Sequence, residues 1–262
     1  MKVIVITGST RGIGLGLANA FLERDCAVCI SGRNQQSVDK IVSSIAENYP
    51  SQPLFGLACD VTDPEQIQSL WDGVVEHFGQ VDIWINNAGI ANELSDFREL
   101  TPDTITAVVE TNVLGTLHGS RVALNGLIAQ GFGALYNMEG HGSNGRKQEG
   151  LTLYGTTKAA LKYFNDCLVD EVEGSPIIVG SLRPGMVWTD LISEQFAENP
   201  EVLERSKGVL NIIMDKVDTV APWLADQMLA NDKNGTRITW LNRRKMASRF
   251  IMAPFSKRQI ID

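Results

Sequence analysis

Val3-Ile4-Val5-Ile6-Thr7-Gly8-Ser9-Thr10-Arg11-Gly12-Ile13-Gly14 is the stretch that decides the fold. Its first four residues are apolar and β-branched, which marks a strand buried on both faces. Gly8, Gly12 and Gly14 then fall in a turn that leads into a helical pattern ending near Arg24. Glycines at such a turn let the backbone approach a pyrophosphate, and a helix N-terminus favours its negative charge. Ser9, Arg11 and Ile13 share the turn and join the glycines as candidate cofactor contacts. The spacing is Gly-x-x-x-Gly-x-Gly, not the Gly-x-Gly-x-x-Gly of the general dinucleotide fingerprint. Tight turns that bind nothing also use glycine; the place of this one, directly after the first strand, favours phosphate.

The same alternation continues outward. Apolar strand runs recur at 27–31, 54–58, 81–85, 133–138, 176–182 and 236–241, with helical patterns between them. Such alternation over 262 residues, without repeats or a low-complexity linker, predicts one domain. The expected fold class is α/β: a Rossmann-type, doubly wound parallel sheet of about seven strands with helices on both faces.

Ligands in such sheets bind beyond the carboxyl ends of the strands, where the remaining cofactor candidates gather. The second strand ends Ser31-Gly32-Arg33-Asn34, without the carboxylate that would hold a free ribose 2′-hydroxyl. Arg33, with Arg11 nearby, suits a 2′-phosphate and predicts NADPH. Asp60 is expected to accept from an adenine amino group and Val61 to offer its amide. Asn87, Ala88 and Gly89 let the chain pass close under a ribose. Pro184, Gly185 and Val187 follow the sixth strand, and Thr189 suits a carboxamide or a phosphate.

Tyr154 and Lys158, four apart in a helical pattern, lie one above the other on one face. A free phenol keeps its proton until about pH 10. A neighbouring ammonium favours the phenolate and is expected to lower that value, bringing the phenol into range for proton transfer to a carbonyl oxygen. A core tyrosine beside a solvated lysine has the same spacing, so the pair gains meaning from the cofactor residues around it. Asn112, inside a helical pattern over 101–130, is either a tolerated surface residue or, near Lys158, the holder of a water. The polar, glycine-bearing stretch 139–151 reads as a long loop. The stretch 190–216 is long enough for a substrate lid. Its apolar 209–213, with Trp223-Leu224, favours a large hydrophobic substrate. The tail over 242–262 is basic and apolar together, with Arg243, Arg249, Phe250, Phe255, Lys257 and Arg258. It reads as a packed tail, an anchor or partner surface being the alternative.

A formal net charge of −8 argues against general nucleic-acid binding. Cys26, Cys29, Cys59 and Cys167 lack the spacing of a disulfide framework or zinc site, and no metal is expected. Reduced thiols suit a cytoplasmic setting. No run reaches membrane-spanning length, and with a strand beginning at Val3 no leader peptide is expected.

With these residues in hand, the chain resembles the short-chain dehydrogenase/reductase family from Val3 to about Leu241. The segments 7–14 and 86–89, Asn112, the Tyr154/Lys158 pair and Pro184-Gly185 occur in that family's order. The resemblance implies that Tyr154 donates a proton, that Lys158 binds the nicotinamide ribose and tunes Tyr154, and that Asn112 supports a proton relay. It also implies a homodimer or homotetramer. One position departs. The family places a serine just after the fifth strand to hold the substrate carbonyl; here those positions are Glu139 and Gly140. Ser143, eleven residues before Tyr154, is the nearest hydroxyl and is assigned the role, with His141 as the fallback polar group.

The blocks Asn137-Met138-Glu139-Gly140-His141-Gly142-Ser143 and Pro184-Gly185-Met186-Val187-Trp188-Thr189 look like chlorophyll b reductase and its relatives, where a glycine-serine loop also replaces the serine pair. That resemblance implies NADPH-dependent reduction of the 7-formyl group of chlorophyll b or chlorophyllide b to 7-hydroxymethyl, in a bacterial cytoplasm or a plastid. Two other readings stay open: reduction of another bulky aldehyde or ketone, and cofactor binding without turnover, for which the missing serine is the support.

Overall fold

The computed structural model describes residues 1–196, 200–256 and 258–261. Its strands are β1 (Val3–Ile6), β2 (Ala27–Gly32), β3 (Leu54–Ala58), β4 (Ile83–Asn86), β5 (Gly133–Met138), β6 (Ile177–Arg183) and β7 (Arg237–Thr239). They form one sheet in the order β3-β2-β1-β4-β5-β6-β7, and every neighbouring pair is parallel. Parallel neighbours need a crossover between them, and here the crossovers are mostly helical. The helices are α1 (Gly12–Leu22), α2 (Gln35–Asn48), α3 (Pro64–Phe78), α4 (Pro102–Val109), α5 (Gly115–Gln130), α6 (Thr152–Glu171), α7 (Asp190–Ser193), α8 (Pro200–Ile213), α9 (Val217–Ala230) and α10 (Arg243–Met252).

The period of two in β1 divides the core. Ile4 and Ile6 point into a layer with α1, α2 and α9, while Val3 and Val5 point into one with α3 and α5. This is the doubly wound α/β fold that the sequence pattern predicts. Pro64 opens α3, and the Asp63 carboxylate accepts from the Glu65 and Gln66 amides, a helix start legible in Asp63-Pro64. The helical run over 101–130 is interrupted: Glu110–Leu114 forms a π-turn between α4 and α5, and Asn112 sits in it. None of the helices among the described residues is long and apolar enough to cross a membrane, and the four cysteines are free.

The tail packs. Asp215, 2% exposed, accepts from Arg249 at 2.8 Å, Arg258 at 2.9 Å and the Trp240 indole at 2.7 Å. Ile260 and Ile261 pack with Phe196, Leu210 and Met214. Residues 197–199 of the expected lid, and Lys257 and Asp262 of the tail, lie outside the described residues.

Breaking a buried ion cluster by removing one member costs about 3–5 kcal/mol. Asp215→Ala is therefore expected to lower the urea midpoint and to open the tail from Arg243 to protease before the sheet unfolds. Limited proteolysis beside urea titration checks this; an unchanged cleavage pattern would show that the clamp holds nothing.

Candidate active site

The turns that follow β1 to β6 converge on one cleft of about 1210 Å³. Gly8 and Gly12 are left-handed, with φ of +62° and +58°. A Cβ on Gly8 would lie 2.8 Å from the Ala88 Cα, and one on Gly14 would lie 2.5 Å from Asn87 Nδ2. The glycine turn thus rests directly on the end of β4. Asn87 locks it there by donating to the carbonyls of Thr7 at 2.9 Å and Gly8 at 3.0 Å. Gly12, Ile13 and Gly14 open α1 along the cleft, and the first turn of α1 carries no acidic residue. Orphan amides at a helix start with no competing carboxylate suit an anion, so this cradle fits the pyrophosphate of a nicotinamide dinucleotide.

The other expected cofactor residues divide. Arg33, Asp60, Val61, Asn87, Ala88 and Gly89 line the cleft on the glycine-turn side. Pro184, Gly185, Val187 and Thr189 line it beyond β6. The Arg33 guanidinium has no partner among the described residues, whereas Arg11 pairs with Glu194 at 2.7 Å and lies 3.7 Å from Asp190. One Asp60 oxygen accepts from the Thr62 amide and hydroxyl. Ser9 is a correction. It is fully buried, its hydroxyl donates to the Ile6 carbonyl at 2.7 Å and accepts from the Ser31 amide at 2.9 Å, and it stitches β1 to β2 outside the cleft lining.

Tyr154 and Lys158 lie on α6 at the centre of the cleft, 8% and 4% exposed. No side chain of the chain just before α6 caps it. Instead Asn92 accepts from the Tyr154 amide at 3.3 Å and donates to the Gly150 carbonyl at 2.9 Å, a positioning role with no local signal in the sequence. Asn112 is fully buried, not a surface residue. It exchanges hydrogen bonds with the Ile90 backbone at 2.8 and 2.9 Å and donates to the Thr157 hydroxyl at 3.1 Å, pinning the chain after β4 to α6.

The Lys158 Nζ donates to the Met138 carbonyl at 3.2 Å and stands 5.7 Å from the Tyr154 ring centre. Burial pushes the lysine down to about 8, opposed in part by the negative charge of Glu139. Burial also pushes the Tyr154 phenol up to about 12. The expected lowering of the phenol by the ammonium is thus overturned: desolvation dominates, and the ammonium reaches a carbonyl rather than the phenol. The phenol oxygen makes no hydrogen bond among the described residues.

The loop after β5 holds the remaining surprises. Glu139, whose side chain is wholly buried, ion-pairs with Arg183 and, at 3.1 Å, with Arg237. A Cβ on Gly140 would fall 2.5 Å from the Tyr154 hydroxyl and 3.1 Å from Lys158 Cγ. Gly142, at φ +99°, packs so tightly on α6 that a Cβ would lie 2.6 Å from the Gly155 Cα. Ser143 is therefore also corrected. Its hydroxyl donates to the Gly140 carbonyl at 2.8 Å, accepts from Arg183 at 3.2 Å, and does not line the cleft. His141 does line it. Leu94, Phe97, Met186, Phe196, Val209 and Ile213 add apolar side chains to the cleft lining, the last two from α8.

A family described as short chain dehydrogenase matches residues 2–200. A probable chloroplastic chlorophyll(ide) b reductase of Arabidopsis thaliana is 32% identical over 254 residues, which cover 91% of this chain and 50% of that protein. The chain thus spans half the length of that relative. A further chloroplastic chlorophyll(ide) b reductase of the same plant is 32% identical over 238 residues, covering 89% of this chain and 67% of that protein. Among solved structures, L-sorbose reductase from Gluconobacter frateurii, complexed with NADPH and L-sorbose, shares the fold at a TM-score of 0.78 and 24% identity, with 91% and 94% of the two chains covered.

The buried lysine has a measurable consequence. An unfolded lysine titrates near about 10.4, so between about pH 8 and that value the unfolded chain binds more protons than the folded one. The penalty is complete below this window and fades as pH rises through it, so stability rises with pH there. Wild type is expected to gain stability relative to Lys158→Met between about pH 8 and pH 10, read from urea midpoints. Parallel pH profiles for the two proteins would mean that the ammonium is not desolvated.

Proposed function

Because the chain belongs to the short-chain dehydrogenase family, and is thereby an NAD(P)H-dependent oxidoreductase, we propose that it is an NADPH-dependent carbonyl reductase of chlorophyll b reductase type. It converts the 7-formyl group of chlorophyll b or chlorophyllide b to 7-hydroxymethyl. The observation that carries the reading is the unbonded Tyr154 phenol beneath a side-chain-free Gly140, in a cleft with apolar side chains in its lining. The cleft, at about 1210 Å³, exceeds the roughly 300–1,000 Å³ of ordinary small-ligand sites. Likeness to chlorophyll(ide) b reductases over nine-tenths of the chain supports the choice of substrate.

Each residue then has a role. The glycine turn and the start of α1 hold the pyrophosphate, Arg33 takes the 2′-phosphate, and Asp60 and Val61 meet the adenine. Asn87, Ala88 and Gly89 pass under the ribose, whose hydroxyls Lys158 binds. Pro184, Gly185, Val187 and Thr189 hold the carboxamide end. The bound nicotinamide supplies a hydride to the formyl carbon. Tyr154 gives its proton to the formyl oxygen, so one hydride and one proton make the alcohol. Asn112 keeps the chain after β4 in register with Lys158 and supports proton return. The stretch 190–216 acts as the lid, and Arg11, paired to Glu194, ties it to the glycine turn. The chain associates with itself as a dimer or tetramer, and Ile128 on α5 and Tyr163 on α6, both apolar and exposed, are candidate contacts.

Single-turnover assays of the purified chain with NADPH and chlorophyllide b are expected to yield the 7-hydroxymethyl product. Tyr154→Phe is expected to lose about 10²–10⁴-fold in rate while binding NADPH normally. Normal NADPH binding with no product from wild type would sink the chlorophyll substrate and favour another bulky aldehyde or ketone. Arg33→Ala is expected to weaken NADPH about tenfold or more and leave NADH unchanged, as a lost charged hydrogen bond requires. Equal losses for the two cofactors would reject the NADPH preference.

A further inference from the structure

A reductase of this kind needs a donor on the carbonyl oxygen besides the tyrosine, and the residues after β5 narrow where it can come from. Glu139 is spent on Arg183 and Arg237. Gly140 has no side chain and no room for one between Tyr154 and Lys158. The Ser143 hydroxyl is spent on the Gly140 carbonyl and Arg183, outside the cleft lining. His141 is the next residue after the glycine that touches Tyr154, and it lines the same cleft. Its Nε2 is buried and without a partner among the described residues. A buried polar nitrogen left unpaired costs about 1–3 kcal/mol. Of the three such side-chain atoms among the described residues, the others being the Ser31 and Ser181 hydroxyls, the His141 Nε2 is the one on a cleft-lining residue.

We propose that His141 binds the substrate's carbonyl oxygen, donating from Nε2–H beside the Tyr154 hydroxyl where other members of the family use a serine. This rests on the carbonyl-reductase reading above. Burial, and behind it the charge of Arg146, hold the imidazole below its ordinary pKa. A neutral ring near pH 7 donates from one nitrogen only, so it polarises the oxygen without competing with Tyr154 for the proton transfer. A histidine is longer than a serine. It reaches the oxygen by a turn of the imidazole, because Nε2 is closed to solvent in this structure.

The test compares wild type, His141→Ala and His141→Gln, using NADPH with chlorophyllide b and with a panel of bulky aldehydes and ketones. NADPH binding and melting temperature are followed beside turnover. His141→Ala is expected to lose about 10²–10³-fold in the single-turnover rate, the scale of one oxyanion donor, with NADPH affinity unchanged. His141→Gln, whose amide N–H can occupy much the same place, is expected to recover at least tenfold of that loss. Turnover of His141→Ala within twofold of wild type overturns the assignment. So does a glutamine variant as slow as the alanine one when both have lowered melting temperatures, because that pattern marks a packing role. A wild type that reduces no carbonyl while binding NADPH overturns the reductase reading and this assignment with it, and is distinct from either outcome among the variants.

Discussion

The buried ammonium of Lys158 is the constraint around which the cleft is built. A charge taken out of water is tolerated only when partners replace the lost hydration. Lys158 has one carbonyl, that of Met138, and the field of Glu139. Glu139 in turn is wholly buried and needs Arg183 and Arg237, and Arg237 also pairs with Asp166 of α6 at 2.8 Å. The charges therefore run in a chain from α6 through the end of β5 to β6 and β7, and back to α6. A serine at 139 would strand Arg183 and remove the one negative charge that supports the ammonium. The departure from the family's serine pair is thus part of an electrostatic solution and not an isolated loss.

Beside that charged chain lies a neutral one. Asn86, at the end of β4, accepts from the Trp84 indole at 2.8 Å and donates to the Ser120 hydroxyl at 3.0 Å and to Asn137 of β5 at 2.8 Å. Asn137 passes the network to Asn165 of α6 at 3.1 Å. Gly119 leaves the space that Asn86 occupies. Every member is buried, so each unmade bond would be costly, and the set fixes β4, β5, α5 and α6 in one relative position. Tyr154 on α6 and the chain after β4 inherit that precision.

What could be read from the sequence was what is local. The β1 run and Asp63-Pro64 each act within a few residues, and each stands as the pattern predicts; the glycine turn was legible by its place after β1, while Asn87, which holds it, lies 80 residues from Thr7. The Tyr154/Lys158 spacing was equally legible, but its electrostatics were not: spacing puts two groups on one helix face and says nothing of the water removed from both. Residues whose partners lie far along the chain were hidden. Asn92 works on a residue 62 positions away and Glu139 on one 44 away. Ser143 misled for a related reason. Its hydroxyl was visible, but its partners were not: it donates to the Gly140 carbonyl and accepts from Arg183, 40 residues on.

Gly140 joins these strands of argument. Its backbone lies against both the phenol and the lysine stem, so any side chain there would displace one or the other. Displacing Lys158 would move the ammonium from the Met138 carbonyl, and displacing Tyr154 would move the phenol within the cleft. The charged chain holds the lysine and the neutral one holds α6, so a shift of either would be felt in both networks. A bare position here is what lets the phenol and the lysine stem stand as close to the loop after β5 as they do.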